Sequence, residues 1–250
     1  MTQFRGLKGI VLGVVLAIAI STVACAESLE SIRKRLASAS SRIVDLKGLM
    51  VINPSSRSNA AEISKGVLQF VDYGFQEITF YYKRPDRFRA EGKAKGIDVT
   101  YVLNGSMQQA TAPAIMLKKT DDLSDHRGRK QSSLDIGFAS DTLWNDNNVT
   151  LLSTSNGVAK LQLVPKGTRN KLHEWLWLDL KTLKVIKRER YNGKGDLKVR
   201  HIYLEHKKIG GVQIATLVKV QSSDGGYVGS ITYENIKANT KLHDSLFAIK

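Results

Sequence analysis

Five histidines, His126, His173, His201, His206 and His243, are the first side chains to test for metal binding or proton transfer. A zinc helix of the usual kind places two histidines four apart with a glutamate between them. No pair here has that spacing. His201 and His206 fall on one expected strand at an odd separation, so they face opposite ways. Ser31-x-x-Lys34 has the form of a nucleophile with its activating amine, but the partner motifs of that chemistry are missing. No Gly-x-Ser-x-Gly, Walker or dinucleotide glycine pattern occurs. Asp179 and Glu189 are candidates for acid/base work, yet they lie on lysine-rich strands where a solvated salt-bridge ladder is the plainer role. The sequence asks for no catalysis, no metal and no cofactor.

Arg84 raises a different question. In "ITFYYKRPDRFRAEG" (78–92), alternate residues share a face, as they do along a strand. Ile78, Phe80, Tyr82 and Arg84 fall together, so the apolar face ends in a guanidinium, and Pro85 then stops the strand. Phe88 and Ala90 resume the apolar face beyond it. A charge on an inward face needs partners.

The chain that positions these groups has 250 residues and a net charge of +15. Hydrophobic content of 42% is enough for a folded core. The first residues, "MTQFRGLKG", carry two positive charges. An 11-residue apolar run, "IVLGVVLAIAI", follows, and then "STVACA" with its small residues. The run is too short for a stable membrane anchor. The pattern is that of a signal peptide over 1–26, cleaved at Ala24-x-Ala26, followed by one domain over 27–250. The alternative is a lipid anchor at Cys25, the single cysteine of the chain. Cleavage after Ala26 removes Arg5, Lys8 and that cysteine. The mature protein then has no disulfide and a net charge two units lower, still favouring anionic partners. An exported chain is expected in the periplasm, where nucleic acid is not a partner.

Residues 28–38 read as an amphipathic helix capped by Ser28, with Leu29, Ile32 and Leu36 in one stripe. Strands follow at 42–53, 77–84, 87–93 and 97–103, with a hairpin turn at Asn104-Gly105-Ser106. "SSRSNAAEIS" (55–64) reads as a polar, flexible connection, "VLQFV" (67–71) as a strand, and "AIMLKK" (114–119) as a further one. Residues 120–148 are rich in caps and breakers and predict one or two short helices, such as 139–145. Alternation then returns and continues nearly to the end. Short strands joined by Gly/Asn/Asp turns predict a mainly β fold, one antiparallel meander forming a barrel or a strongly curved half-barrel.

In "EWLWLDL" (174–180), Leu176, Leu178 and Leu180 share one face, and Trp175 and Trp177 the other. A strand that is apolar on both faces should be covered on both. A helix against the outside of a closed barrel would do this, and so would a helix plugging a half-barrel. The inward side chains form either a plain packed core or, if the plug moves, a cavity for an apolar ligand. The stretch 181–208 holds ten Lys/Arg against three Asp/Glu. It is either the solvent face of two strands or a surface for lipid headgroups or an acidic partner.

In four places the sequence resembles the LolA/LolB-like periplasmic lipoprotein carriers. These are "LESIRKRLASASSRIVDLKGLMV", "YYKRPDRFRAEG…VTYVLNGS", "LQLVPKG" and "GSITYENIKANTKLHDSLF". They occur in the family's order and cover most of the chain after residue 26. The resemblance implies a single unclosed, strongly bent antiparallel β-barrel with an N-terminal helix and short lid helices over an apolar cavity. It implies a carrier, not an enzyme, that receives lipid or lipoprotein acyl chains. Its other partners would be an anionic membrane surface or a membrane transporter, and the chain is expected to be a monomer. The family's Lys-Arg-Pro arginine matches Arg84, which would then latch the lid helices, with 120–148 as the candidate lid. The alternative for Arg84 is a rim ion pair with Asp86 or Glu91. The cavity candidates are Phe80, Tyr82, Phe88, Leu161, Leu163, Leu176, Leu178 and Leu180. The sequence departs from the family in a longer 54–77 region and a very polar lid segment. These departures favour the carrier-like proteins linked to lipid exporters over the housekeeping carrier. A sensor or regulatory module that recognises envelope lipids or a periplasmic regulatory protein is the alternative function.

Overall fold

The computed structural model describes residues 27–125, 137–140, 143–167 and 172–250. Two antiparallel meanders build one sheet of 13 strands. The first contains β1 (Asp45–Pro54), β2 (Glu77–Lys83), β3 (Arg87–Ala94), β4 (Ile97–Asn104), β5 (Met107–Ala112) and β6 (Leu117–Asp122). The second contains β7 (Asn147–Ser155), β8 (Val158–Pro165), β9 (His173–Asp179), β10 (Val185–Tyr191), β11 (Leu197–Ile209), β12 (Val212–Ser222) and β13 (Tyr227–Ala238). Pairing of β1 with β13 joins them. That pairing leaves β6 and β7 as the two edges, so the curved sheet is a barrel left open between them. In the chain, β6 ends at Asp122 and β7 begins at Asn147.

Four α-helices accompany the sheet among the described residues. The first, α1 (Leu29–Ser40), starts as the sequence predicts, with Ser28 Oγ accepting from the Ser31 N–H. Its Ile32 and Leu36 are fully buried in the same cluster as the leucines of β8 and β9. The expected flexible connection and the expected strand at 67–71 are instead α2 (Arg57–Ile63) and α3 (Lys65–Asp72). Two serines explain the correction. Ser56 accepts from Asn59 N–H and Ser64 from Val67 N–H, both at 3.2 Å, so each opens a helix. A five-residue apolar run fits either period, and here the cap decides. In 120–148, residues 120–122 end β6 and 147–148 begin β7, and the helical piece is α4 (Leu143–Asp146). The rest of the expected lid (126–136 and 141–142) and the expected signal peptide lie outside the described residues. Strand β5, "MQQATA", was not anticipated because it carries no apolar alternation.

The C-terminal segment binds the outer face of the first meander. Phe247 is fully buried with Leu242 against Val102 of β4. Lys83 donates to the Leu242 carbonyl at 2.7 Å, Arg89 to that of Leu246 at 3.0 Å, and Asn104 to that of Phe247 at 3.1 Å. The segment therefore crosses β2, β3 and β4 as a strap. Asp45, 1% exposed, turns the chain into it. Its carboxylate accepts from Thr240 N–H at 2.6 Å, Thr240 Oγ1 at 3.0 Å and Leu242 N–H at 3.1 Å. Replacing Asp45 with Ala strands those buried donors. We expect Asp45→Ala to lower stability by about 1–3 kcal/mol. Urea unfolding would show this as a lower midpoint at unchanged slope.

Candidate functional site

The inner face of the sheet is filled differently in its two halves. On β8 and β9 it carries Leu161, Leu163, Leu176 and Leu178, all 3% exposed or less. These pack into one cluster with α1 and leave no room. On β3 and β5 the inner residues are Ala90, Gly92, Ala94, Ala110 and Ala112, and a cavity of about 710 Å³ lies over them. That size is typical of a site for a small apolar ligand.

Strand register builds its floor. Tyr233, Met50, Ile78, Gly92 and Val99 stand side by side across β13, β1, β2, β3 and β4. Phe80, Ala90, Tyr101 and Ala110 form the next row across β2 to β5. Gly92 is required where it stands, because a Cβ there would lie 2.9 Å from the Glu77 carbonyl oxygen. Any side chain at 92 would push β2 away. The remaining wall comes from α3 and the link to β2, through Gln69, Phe70, Tyr73 and Phe75. Phe70 and Phe75 stack at 4.9 Å. The α2–α3 hairpin is tied down by Arg57, which grips Asp72 through two hydrogen bonds of 2.7 and 3.0 Å. Lys95 N–H donates to the Tyr73 carbonyl at 3.0 Å. Lys95 is the charged residue of the lining, and the rest is almost wholly apolar.

Of the expected cavity residues, Phe88 lines this space. Phe80 and Tyr82 lie buried in the packed core instead, as do Leu161, Leu163, Leu176, Leu178 and Leu180. The reason is volume. A large inward side chain fills the space it points into, so the hollow lies over the small residues. Phe80 packs edge-on against the cavity-lining Tyr233 at 5.9 Å. Arg84 is half-buried just past β2, and its own N–H donates to the Val44 carbonyl at 3.0 Å. Residues 126–136 and 141–142 of the segment it was expected to latch lie outside the described residues.

Among the described residues, lysines cover the tryptophan face of β9, not a helix. Lys160 lies 3.4 Å over the Trp175 ring and Lys187 3.7 Å over that of Trp177. Long cationic side chains thus shield the indoles and keep their ammonium groups in water. Much of the basic stretch is already engaged. Glu189 accepts from Arg200 at 2.8 Å and from Tyr191 at 2.7 Å, and these bonds hold its carboxyl below the ordinary range against the effect of burial. On the inner face, Glu174 accepts from Arg188 and, at 2.7 Å, from Arg190. Burial raises its pKa, but the two guanidiniums outweigh burial and bring it down to about 2. Glu174→Gln leaves buried cationic charge uncompensated and should cost about 3–5 kcal/mol. The sign follows from the lowered pKa. The wild-type advantage is complete above pH 4.5 and vanishes as pH falls through about 2. Paired denaturant curves across that range check it.

No cluster of three metal-binding side chains occurs among the described residues. No protein-family model matches the sequence, and no curated protein does either. Solved structures do match. One is a LolA superfamily protein from Nitrosomonas europaea, with TM-score 0.61 and 14% identity over 90% of this chain and 99% of the other. Another is a DUF1329 family protein from Desulfovibrio piger, with TM-score 0.59 and 16% identity over 87% and 94%. A third is an outer membrane lipoprotein-sorting protein domain from Vibrio parahaemolyticus, with TM-score 0.57 and 14% identity over 86% and 92%. The chain has a LolA-like fold. The resemblance read from the sequence therefore holds at the level of the fold.

Proposed function

We propose that this protein is a non-catalytic periplasmic carrier that holds the acyl chains of a lipid or lipoprotein. The cavity carries the reading: a hollow of about 710 Å³, lined by alanine, glycine and aromatic side chains and walled by α3. Such a surface offers an alkyl chain contact area and little to hydrogen-bond. The charged and small-residue pattern of the first 26 residues supports export. The fold shared with a lipoprotein-sorting domain supports the class of cargo. Helix α3 forms one wall of this open-mouthed hollow, and its displacement would widen the entrance. It is short, eight residues, and none of its described side chains is among the fully buried core, so its displacement disturbs little of that core.

The test fills the hollow. Ala90→Leu and Ala110→Leu each place a branched side chain where the ligand would lie. A fluorescent fatty acid should bind each variant at least about tenfold more weakly than wild type. Melting temperature should stay close to wild type, since the new side chain enters open space. Ala159→Leu, in the filled half and fully buried, is the contrasting variant. It should lose about 1–3 kcal/mol by overpacking. Unchanged fatty-acid affinity in both cavity variants would remove this cavity from the account.

A separate role is proposed for Arg84, as a latch on the 120–148 segment. Arg84→Leu should load the fatty acid faster and release it faster. Rates equal to wild type in stopped-flow exchange would assign Arg84 to the rim instead.

A further inference from the structure

Among the described residues, ten large apolar side chains are left exposed; four of them line the cavity and a fifth, Met116, sits between two of these. Phe70 and Tyr73 come from the α3 side. Ile115, Met116 and Leu117 come from the turn between β5 and β6. Met116 is the extreme case. It is 94% exposed and sits at φ 51°, a left-handed backbone that L side chains other than Asn and Asp seldom adopt. That backbone is the C-cap of the short turn, its N–H bonded to the Pro113 carbonyl, and it holds a large apolar side chain out in water, which points to a use outside the fold. Ile115 and Leu117 on either side of it line the cavity as well as face solvent. The next two residues are Lys118 and Lys119, both exposed. Lys93 and Lys95 are exposed in the β3–β4 hairpin, and Lys95 lines the same cavity.

An apolar tip framed by lysines is the chemistry of an interfacial membrane contact: the apolar groups enter the acyl boundary and the cations meet anionic headgroups. We infer that the 113–119 turn docks the protein on an anionic bilayer with the cavity mouth against the lipid. The inference rests on the carrier reading and adds the surface through which cargo would pass. The charge pattern favours this occupant: the turn from Pro113 to Lys119 contains no acid. Although Lys119 pairs with Asp121 at 3.4 Å and Lys93 with Asp98 at 3.7 Å, Lys118 and Lys95 leave the apolar tip bordered by cations. Among the described residues no helix is long and apolar enough to cross a membrane, so the contact would be peripheral. The continuity of tip and lining gives an alkyl chain a route that avoids water.

The experiment is cosedimentation with sucrose-loaded vesicles of phosphatidylcholine, alone or mixed with phosphatidylglycerol. Uptake of a fluorescent fatty acid is measured in parallel without vesicles. Wild type should sediment with the anionic vesicles, less with neutral ones and less as salt is raised. Met116→Glu should reduce anionic-vesicle binding by about tenfold or more, because a buried thioether chain is replaced by a charge. Lys118→Glu with Lys119→Glu should reduce it independently. Both variants should take up the fatty acid as wild type does. Wild type that ignores anionic vesicles, or Met116→Glu that binds them normally, overturns the inference and leaves the patch to a protein partner. Failure of wild type itself to take up the fatty acid is a separate result, and it overturns the carrier reading together with this docking surface.

Discussion

The volume of the residues on the inner face of one curved sheet decides what the rest of this structure can do. Leucines at 161, 163, 176 and 178 pack with α1 and make one half solid. Alanines and Gly92 on β3 and β5 leave the other half hollow. Packed interiors tolerate few voids, because every unfilled surface loses its dispersion contacts. A hollow of this size therefore needs support from elsewhere in the fold. The solid half, built around α1, carries the stability that the hollow half gives up.

Two other features follow from that asymmetry. The hollow half has little packing on its inner side, so its outer side is reinforced. The C-terminal strap does this, seating Phe247 and Leu242 on β4 and bonding to β2, β3 and β4 through Lys83, Arg89 and Asn104. The open edge also matters. Because β1 pairs with β13, the barrel is left unclosed between β6 and β7, and the exposed 113–119 turn leads directly into one of those edges. Cavity, mouth and edge thus lie on the same side of the molecule's construction. The solid half carries a different surface, with tryptophans shielded by lysines and carboxylates saturated by arginines.

Much of the fold was legible in residue order. Period-two alternation located most strands, Asn104-Gly105 marked a hairpin, and Ser28 opened α1. Helices α2 and α3 were misread because their helical signal is two capping serines, Ser56 and Ser64, not a long apolar period. Strand β5 escaped because its ladder bonds need no apolar pattern. The site was less legible than the fold. Large inward residues such as Leu176 and Phe80 are easy to see in a sequence, yet they fill space. The cavity depends on Ala90, Gly92, Ala110 and Ala112, whose alignment across three strands exists only once register is set. Small residues at alternate positions of two strands, β3 and β5, with β4 between them, are the signal to seek. The covering helix lay in the segment that read as an insertion.

The central claim is that this hollow holds acyl chains in the cell. Native mass spectrometry of protein isolated without detergent, followed by lipid extraction, tests it most directly. The account predicts a bound acyl lipid or acylated peptide at roughly one per chain, as expected for a single site of this size. A clean apo mass that stays unchanged when lipid is added would contradict it.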